Sequence, residues 1–232
     1  MGDDNLISNF NSHQYHILDN FYKDILQHGN KLERIHALRF SNILTKSKPA
    51  FEFTTLQKPL KKDGKFMIYK SILEIINKLN LPYHRKERDL MGKKVITHIC
   101  GCKRPFKIPS YSKQNMKKYH SEWGKLYGYP HSAIQAFIQN NTLRYDKYKR
   151  DAEQLLVYLQ EIEDSNFNLN YLQLISFLPA NSTNGIQDAI DISYKYKKLL
   201  YEMSHNYELP HFSKLLQFQI ETEKPSQLYL TN

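Results

Sequence analysis

The sequence predicts a predominantly helical α+β protein, with an N-terminal helical hairpin, a small basic β-hairpin region and a helix-rich C-terminal body. Three observations predict it. Apolar residues recur at helical spacing through most of the chain. The 9 Pro and 8 Gly of 232 residues fall mainly between those stretches. β-branched residues gather in one short run, Val95-Ile96-Thr97-His98-Ile99, as a strand requires.

Residues 12–28 carry Tyr15, Leu18, Phe21, Tyr22, Ile25 and Leu26 at helical spacing, with Ser12 as the expected N-cap and Gly29 as the stop. A second helix is expected from Leu32 to Leu44, with Leu32, Ile35, Leu38 and Asn42 on one face and Arg34 and Arg39 elsewhere. Pro49, Pro59 and Asp63-Gly64 break residues 46–64, where Phe51 and Phe53 alternate around Glu52 as in a short strand. That break is the expected boundary between an N-terminal helical extension, 1–57, and a main basic and helical domain, 58–222. Residues 223–232 read as a flexible tail.

Met67, Ile68, Ile72, Leu73, Ile75, Ile76 and Leu79 predict a buried helix over 65–79, ended by Asn80 and Pro82. After the charged stretch His84–Lys94, Val95 to Ile99 reads as a strand. Gly101 is the expected turn of a hairpin continuing into Phe106–Ile108. Lys113 to Tyr127 reads as a helix, Pro130 as the first position of the next, and Asp146 to Ile162 as another. Tyr171 to Phe177 reads as a strand or buried run, Ile186 to Met203 as a helix, and Phe212 to Ile220 as a closing strand.

The composition, 41% hydrophobic and 24% charged, excludes collagen-like and wholly disordered chains. No apolar run approaches the ~20 residues that span a bilayer, so a soluble cytoplasmic protein without membrane contact is expected. The net charge of +10 is unevenly spread: 0 over residues 1–57, +13 over 58–118 and −3 over 119–232. Lys and Arg neutralising phosphates supply most sequence-independent nucleic-acid affinity, so a concentrated basic segment is the footprint of such a protein. The candidate phosphate contacts are Arg85, Lys86, Lys93, Lys94, Lys103, Arg104 and Lys107, with Phe106 and Tyr111 as stacking side chains.

Chemistry-bearing patterns are sparse. His98, Cys100 and Cys102 are the tightest group of metal-ligand types, but a single glycine separates the thiols where structural zinc sites use C-x2-C. His84, His120 or His131 would have to complete a site. No cofactor is expected, zinc being the alternative. Nucleophile elbows and glycine-rich phosphate loops are missing from the sequence. The stretch His120–Phe137 holds the single Trp123, two glycines and Pro130, and reads as a helix–turn–helix corner packed by Trp123, Tyr129 and Phe137.

Gly124-Lys-Leu-Tyr-Gly-Tyr-Pro-His-Ser-Ala-Ile-Gln-Ala-Phe137 resembles the Gly-x-Leu-Leu-Gly-Tyr-Pro-x-Cys-Cys-x-x-x-Phe motif of a mainly archaeal domain family of unknown function. Leu174-Ile-Ser-Phe-Leu-Pro-Ala-Asn-Ser-Thr-Asn-Gly185 is similar in spacing to that family's Ile-Ser-His-x-Pro-Cys-x-x-x-Cys segment, and the likeness spans residues ~115–205. Ser132 and Ala133 stand where the family has adjacent cysteines, and Phe177, Ala180 and Asn184 where it has His, Cys and Cys. The resemblance implies a shared scaffold with a lost or replaced site.

The expected function is a nucleic-acid-binding accessory protein, RNA and DNA both remaining open, that acts through a basic surface from residues 58–118. One alternative is an enzyme or degenerate enzyme with a pocket between the Gly128–His131 corner and the Ser176–Asn184 loop, using His120, His131, Ser132 and Ser182. Another is a protein-interaction or virus-type structural component.

Overall fold

The computed structural model describes residues 6–56, 65–90, 93–103, 107–110, 113–140, 169–176 and 179–222. In chain order these form a 3-10 turn (Leu6–Asn9), α1 (Ser12–His28), α2 (Lys31–Leu44), β1 (Ala50–Leu56), α3 (Lys65–Lys78), β2 (Tyr83–Leu90) and β3 (Lys93–Gly101). A second 3-10 turn (Lys113–Asn115), α4 (Met116–Leu126), α5 (His131–Ile138), a 3-10 segment (Leu169–Leu174), α6 (Thr183–Asn206), α7 (Pro210–Gln217) and a π-helical turn (Phe218–Thr222) follow. The protein is mostly helical with a small three-stranded antiparallel sheet, as expected. Among the described residues no helix is long and apolar enough to cross a membrane. The helix expected over Asp146–Ile162 lies outside the described residues. Contacts divide the chain into unit 1, Met1–Lys107 with Lys198–Gln219, and unit 2, Ile108–Lys197 with Ile220–Asn232.

In unit 1 the N-terminal hairpin begins with matched caps. Asn11, rather than Ser12, caps α1: its side chain accepts from the Gln14 amide at 2.9 Å while the Gln14 side chain accepts from the Asn11 amide at 3.0 Å. Asn30 and Glu33 repeat the arrangement at α2. Between them the Gly29 amide donates to the Ile25 carbonyl, and a Cβ on Gly29 would lie 2.4 Å from that oxygen. α2 buries more than the single face its sequence predicts. Ile35, Ala37, Leu38, Phe40, Ser41, Asn42, Ile43 and Leu44 are all buried. The Asn42 carbonyl is satisfied there by the Thr45 and Ser47 hydroxyls and the Lys48 amide.

α7 packs against α1, with Tyr22 and Phe212 rings 4.5 Å apart and the Tyr22 hydroxyl 2.7 Å from Ser41 Oγ. The closing strand expected over Phe212–Ile220 is therefore corrected to a helix running into a π turn. Pro210 starts it, and Phe212, Leu215, Leu216, Gln219 and Ile220 are buried at i, i+3, i+4, i+7 and i+8. Asp19 supplies the cap that Leu209 lacks, accepting from the His211 amide at 3.0 Å and contacting its Nδ1 at 2.6 Å. α3 buries Ile72, Ile75 and Ile76 and ends where Asn80 takes a left-handed φ of 51°, letting the Leu81 amide reach the Ile76 carbonyl.

The sheet order is β1-β3-β2. Phe51, Cys100 and Tyr83 share one cross-strand row, and Phe53, His98 and Arg85 the next. β1 and β3 thus pair across residue 57, the boundary expected from composition. The β-hairpin is displaced from its expected position. β3 pairs with the upstream charged stretch as β2, and Gly101 closes the strand rather than forming the turn.

In unit 2, α4 and α5 meet at a corner where Gly128 adopts a φ of 70°. A Cβ on Gly124 would lie 2.5 Å from Ile134 Cγ1, so the absence of a side chain sets how closely the helices approach. Pro130 is the N-cap of α5, one residue ahead of the position expected. Of the strand or buried run expected at Tyr171–Phe177, the described residues form a buried run, 3-10 over Leu169–Leu174 with Tyr171, Leu172 and Leu174 buried.

Candidate nucleic-acid interface

The seventeen basic residues of 58–118 divide fourteen to three between the two units. Counting each unit whole, unit 1 holds 22 Lys and Arg against 12 Asp and Glu, and unit 2 holds 11 against 11. The entire net charge of +10 therefore belongs to unit 1.

Within unit 1 the basic candidates follow the hairpin. β2 is an edge strand, and Tyr83, His84, Arg85, Lys86 and Glu87 are all exposed. Solvent on both sides removes the need for apolar alternation, which is why this strand reads in the sequence as a featureless charged stretch. Arg85 and Lys86 point to opposite faces, opposite His98 and Thr97 respectively. Lys93 and Lys94 open β3 opposite Leu90 and Asp89. Exposed Lys103 follows the other end of β3, where the Cys102 amide donates to the Pro49 carbonyl at 2.8 Å. At ~3.3 Å per strand residue, Lys93 and Lys103 stand about 30 Å apart along the hairpin, with Arg85 and Lys86 between them. The register thus sets these positions out in a line rather than a cluster. Lys107 is exposed too, and Arg104, Phe106 and Tyr111 lie outside the described residues.

Arg85 is paired with Glu87, two residues on along the same strand face. Both side chains are about half exposed, so water screens the pair and a phosphate can compete for the guanidinium. Near Arg85, three near-parallel rings follow one another across the three strands. Phe53 and His98 lie 4.8 Å apart at 11°, and His98 and Tyr83 lie 6.1 Å apart at 23°. Burial, and then the nearby Arg85 charge, hold the His98 imidazole below its ordinary pKa, while burial raises that of the Tyr83 phenol. The Tyr83 hydroxyl and His98 Nδ1 share a hydrogen bond of 2.7 Å.

Burial, and then the Cys102 thiol, push the Cys100 thiol well above the usual range, and burial raises Cys102 as well, whereas a metal needs the thiolate. Among the described residues no group of three or more His, Cys, Asp or Glu side chains could hold a metal ion. Lys48 is a buried cation that the sequence does not single out. Its ammonium lies 5.9 Å from the Phe51 ring centroid, and burial followed by Arg39 lowers its pKa to about 7 against the opposing effect of Glu52. No periodicity signals such a lysine, since it sits in the turn between α2 and β1.

The catalytic candidates all lie in unit 2. Ser132 donates to the Asp188 carboxylate, and the Tyr129 hydroxyl donates to the Ser176 carbonyl at 3.0 Å. Ser182 accepts from the Gly185 amide at 3.2 Å at the start of α6, a helix-capping role. His131 is exposed, and His120 packs edge-on against Phe137. Phe137 is 58% exposed, which corrects its expected place in the packed corner. Trp123, Tyr127 and Tyr129 form the aromatic cluster there, and Ile134 fills the position against Gly124.

No protein-family model matches the chain, and neither a curated protein nor a solved structure matches it.

Proposed function

We propose that this chain is a nucleic-acid-binding accessory protein that engages its ligand through the basic hairpin of unit 1. The observation that carries this reading is the concentration of the whole net charge of +10 in one unit, with Arg85 and Lys86 exposed on its edge strand. Basic positions spread along about 30 Å of hairpin, on both of its faces, suit a linear polyanion better than a small anion. Binding is driven by counterion release, so retention on heparin or on a single-stranded 20-mer RNA falls steeply with salt. Replacing Arg85, Lys86, Lys93, Lys94 and Lys103 together by Glu lowers affinity by about 100-fold or more at low salt. Unchanged binding by that folded variant removes the proposal.

A second reading rests on unit 2, where the bond from Tyr129 to Ser176 joins two segments that the sequence singles out and Ser132 bonds to Asp188 on α6. It is an enzyme or degenerate enzyme on the scaffold that the archaeal resemblance implies. Catalytic turnover abolished by Ser132→Ala, with nucleic-acid binding absent from the wild-type protein, favours this reading over the first.

A further inference from the structure

We infer that Tyr83 is a base-stacking platform and that the ligand of the basic hairpin is single-stranded nucleic acid, an unstacked base of which packs on the Tyr83 ring. The inference rests on the proposed nucleic-acid reading and deepens it. Phe53 on β1 stacks on His98 on β3, and Tyr83 on β2 meets the far edge of His98 through its hydroxyl. Phe53 and His98 are each 4% exposed, whereas Tyr83 is 36% exposed. Among the described residues no strand pairs with the outer edge of β2. A planar ring arriving there meets an aromatic surface already held in orientation.

The anchoring makes the site a prepared one. The bond from the Tyr83 hydroxyl to His98 Nδ1 at 2.7 Å restrains the phenol ring, which lowers the ordering cost of stacking a base on it. Arg85 follows two residues along the same face, where its exposed guanidinium is paired with Glu87 and open to competition from a phosphate. Every base presents a π-face, so the platform tolerates sequence. A duplex keeps its bases stacked on each other and offers none, except by unpairing. The charge of unit 1 selects a polyanion as occupant in preference to an apolar peptide.

The test measures binding of the full chain to a fluorescein-labelled single-stranded 12-mer oligouridylate, to an abasic 12-mer of equal charge and to a 12-base-pair duplex. Tyr83→Ala is expected to weaken oligouridylate binding about 5- to 100-fold, leave abasic binding unchanged and preserve the salt slope. Tyr83→Phe retains most of the affinity, and Tyr83→Leu, which keeps an apolar side chain of similar bulk but no ring, loses it. Circular dichroism establishes that each variant is folded, and Tyr83→Leu decides the matter if the alanine variant is not. Equal binding by wild type and Tyr83→Leu, with the five-residue charge reversal abolishing it, overturns the platform while leaving the polyanion reading intact. A duplex bound as tightly as the single strand also overturns the platform. Absence of wild-type binding to all three probes overturns both.

Discussion

Unit 1 carries 22 basic residues against 12 acidic ones, while unit 2 carries 11 of each, and both are built chiefly from helices. The helices of unit 1 do not need this excess. Its core is made from Leu18, Tyr22, Phe40, Ile72, Ile76, Ile99 and Phe212, all almost fully buried. Like charges on one folded body repel and lower its stability, so an excess of ten is a cost that packing does not explain. Unit 2 shows that the same chain builds a charge-balanced body. The difference separates residues serving the fold from residues available to a ligand.

The strongest way to break the comparison is through the core that holds unit 1 together. Phe212→Ala removes the ring against Tyr22 and leaves a void at a fully buried site, so it destabilises the protein by about 3–5 kcal/mol in denaturant unfolding. If nucleic-acid affinity survives under conditions where that variant is unfolded, the folded hairpin is not the binding element.

Lys48 tests whether every cation of unit 1 belongs to its surface. The unfolded lysine has a pKa of 10.5 and the folded one about 7, so between these values the unfolded chain binds more protons. The Lys48 contribution to stability consequently rises as pH increases from 7 towards 10.5. Lys48→Met flattens that rise and leaves salt-dependent RNA retention unchanged. Chemical unfolding from pH 7 to 10, compared between the two proteins, measures it.

A corresponding change in unit 2 acts through shape. Gly124→Ala places a methyl group 2.5 Å from Ile134 Cγ1 and destabilises by about 1–2 kcal/mol, the overpacking exceeding the gain in helix propensity. Thermal unfolding reports the loss, while RNA affinity stays at the wild-type value. The smallest effect is expected from reversing Lys117 and Lys118, exposed on α4, which alters the salt slope of RNA binding by less than about 0.3. Reversing Arg85 and Lys86 lowers the slope by about 1.4, two phosphates at ~0.7 each on a single strand. Equal slopes from the two pairs erase the distinction between the units.

Much of the helical framework is legible in the sequence because its signals are local. α1 spans the expected residues 12–28, α2 starts one residue early, and α3 and α4 fall close to their expected ranges. The misreadings share a cause. β2 carries charge on both faces because it is an edge strand, and edge status depends on which strands lie beside it. The 212–220 segment alternates weakly, and its burial at i, i+3 and i+4 becomes evident only against α1. The basic candidates Arg85 and Lys86 were legible from charge alone. The Tyr83–His98 bond joins residues fifteen apart and was not.

The amino-acid sequence by itself determined the N-terminal helices and the excess of positive charge, since helical periodicity is local and charge is a count. Tertiary structure decided that 198–219 joins the basic unit while 108–118 does not, that Lys48 is withdrawn from solvent, and that three rings align across the sheet. Those outcomes arise from strand pairing and burial between distant segments, and no window along the chain contains both partners.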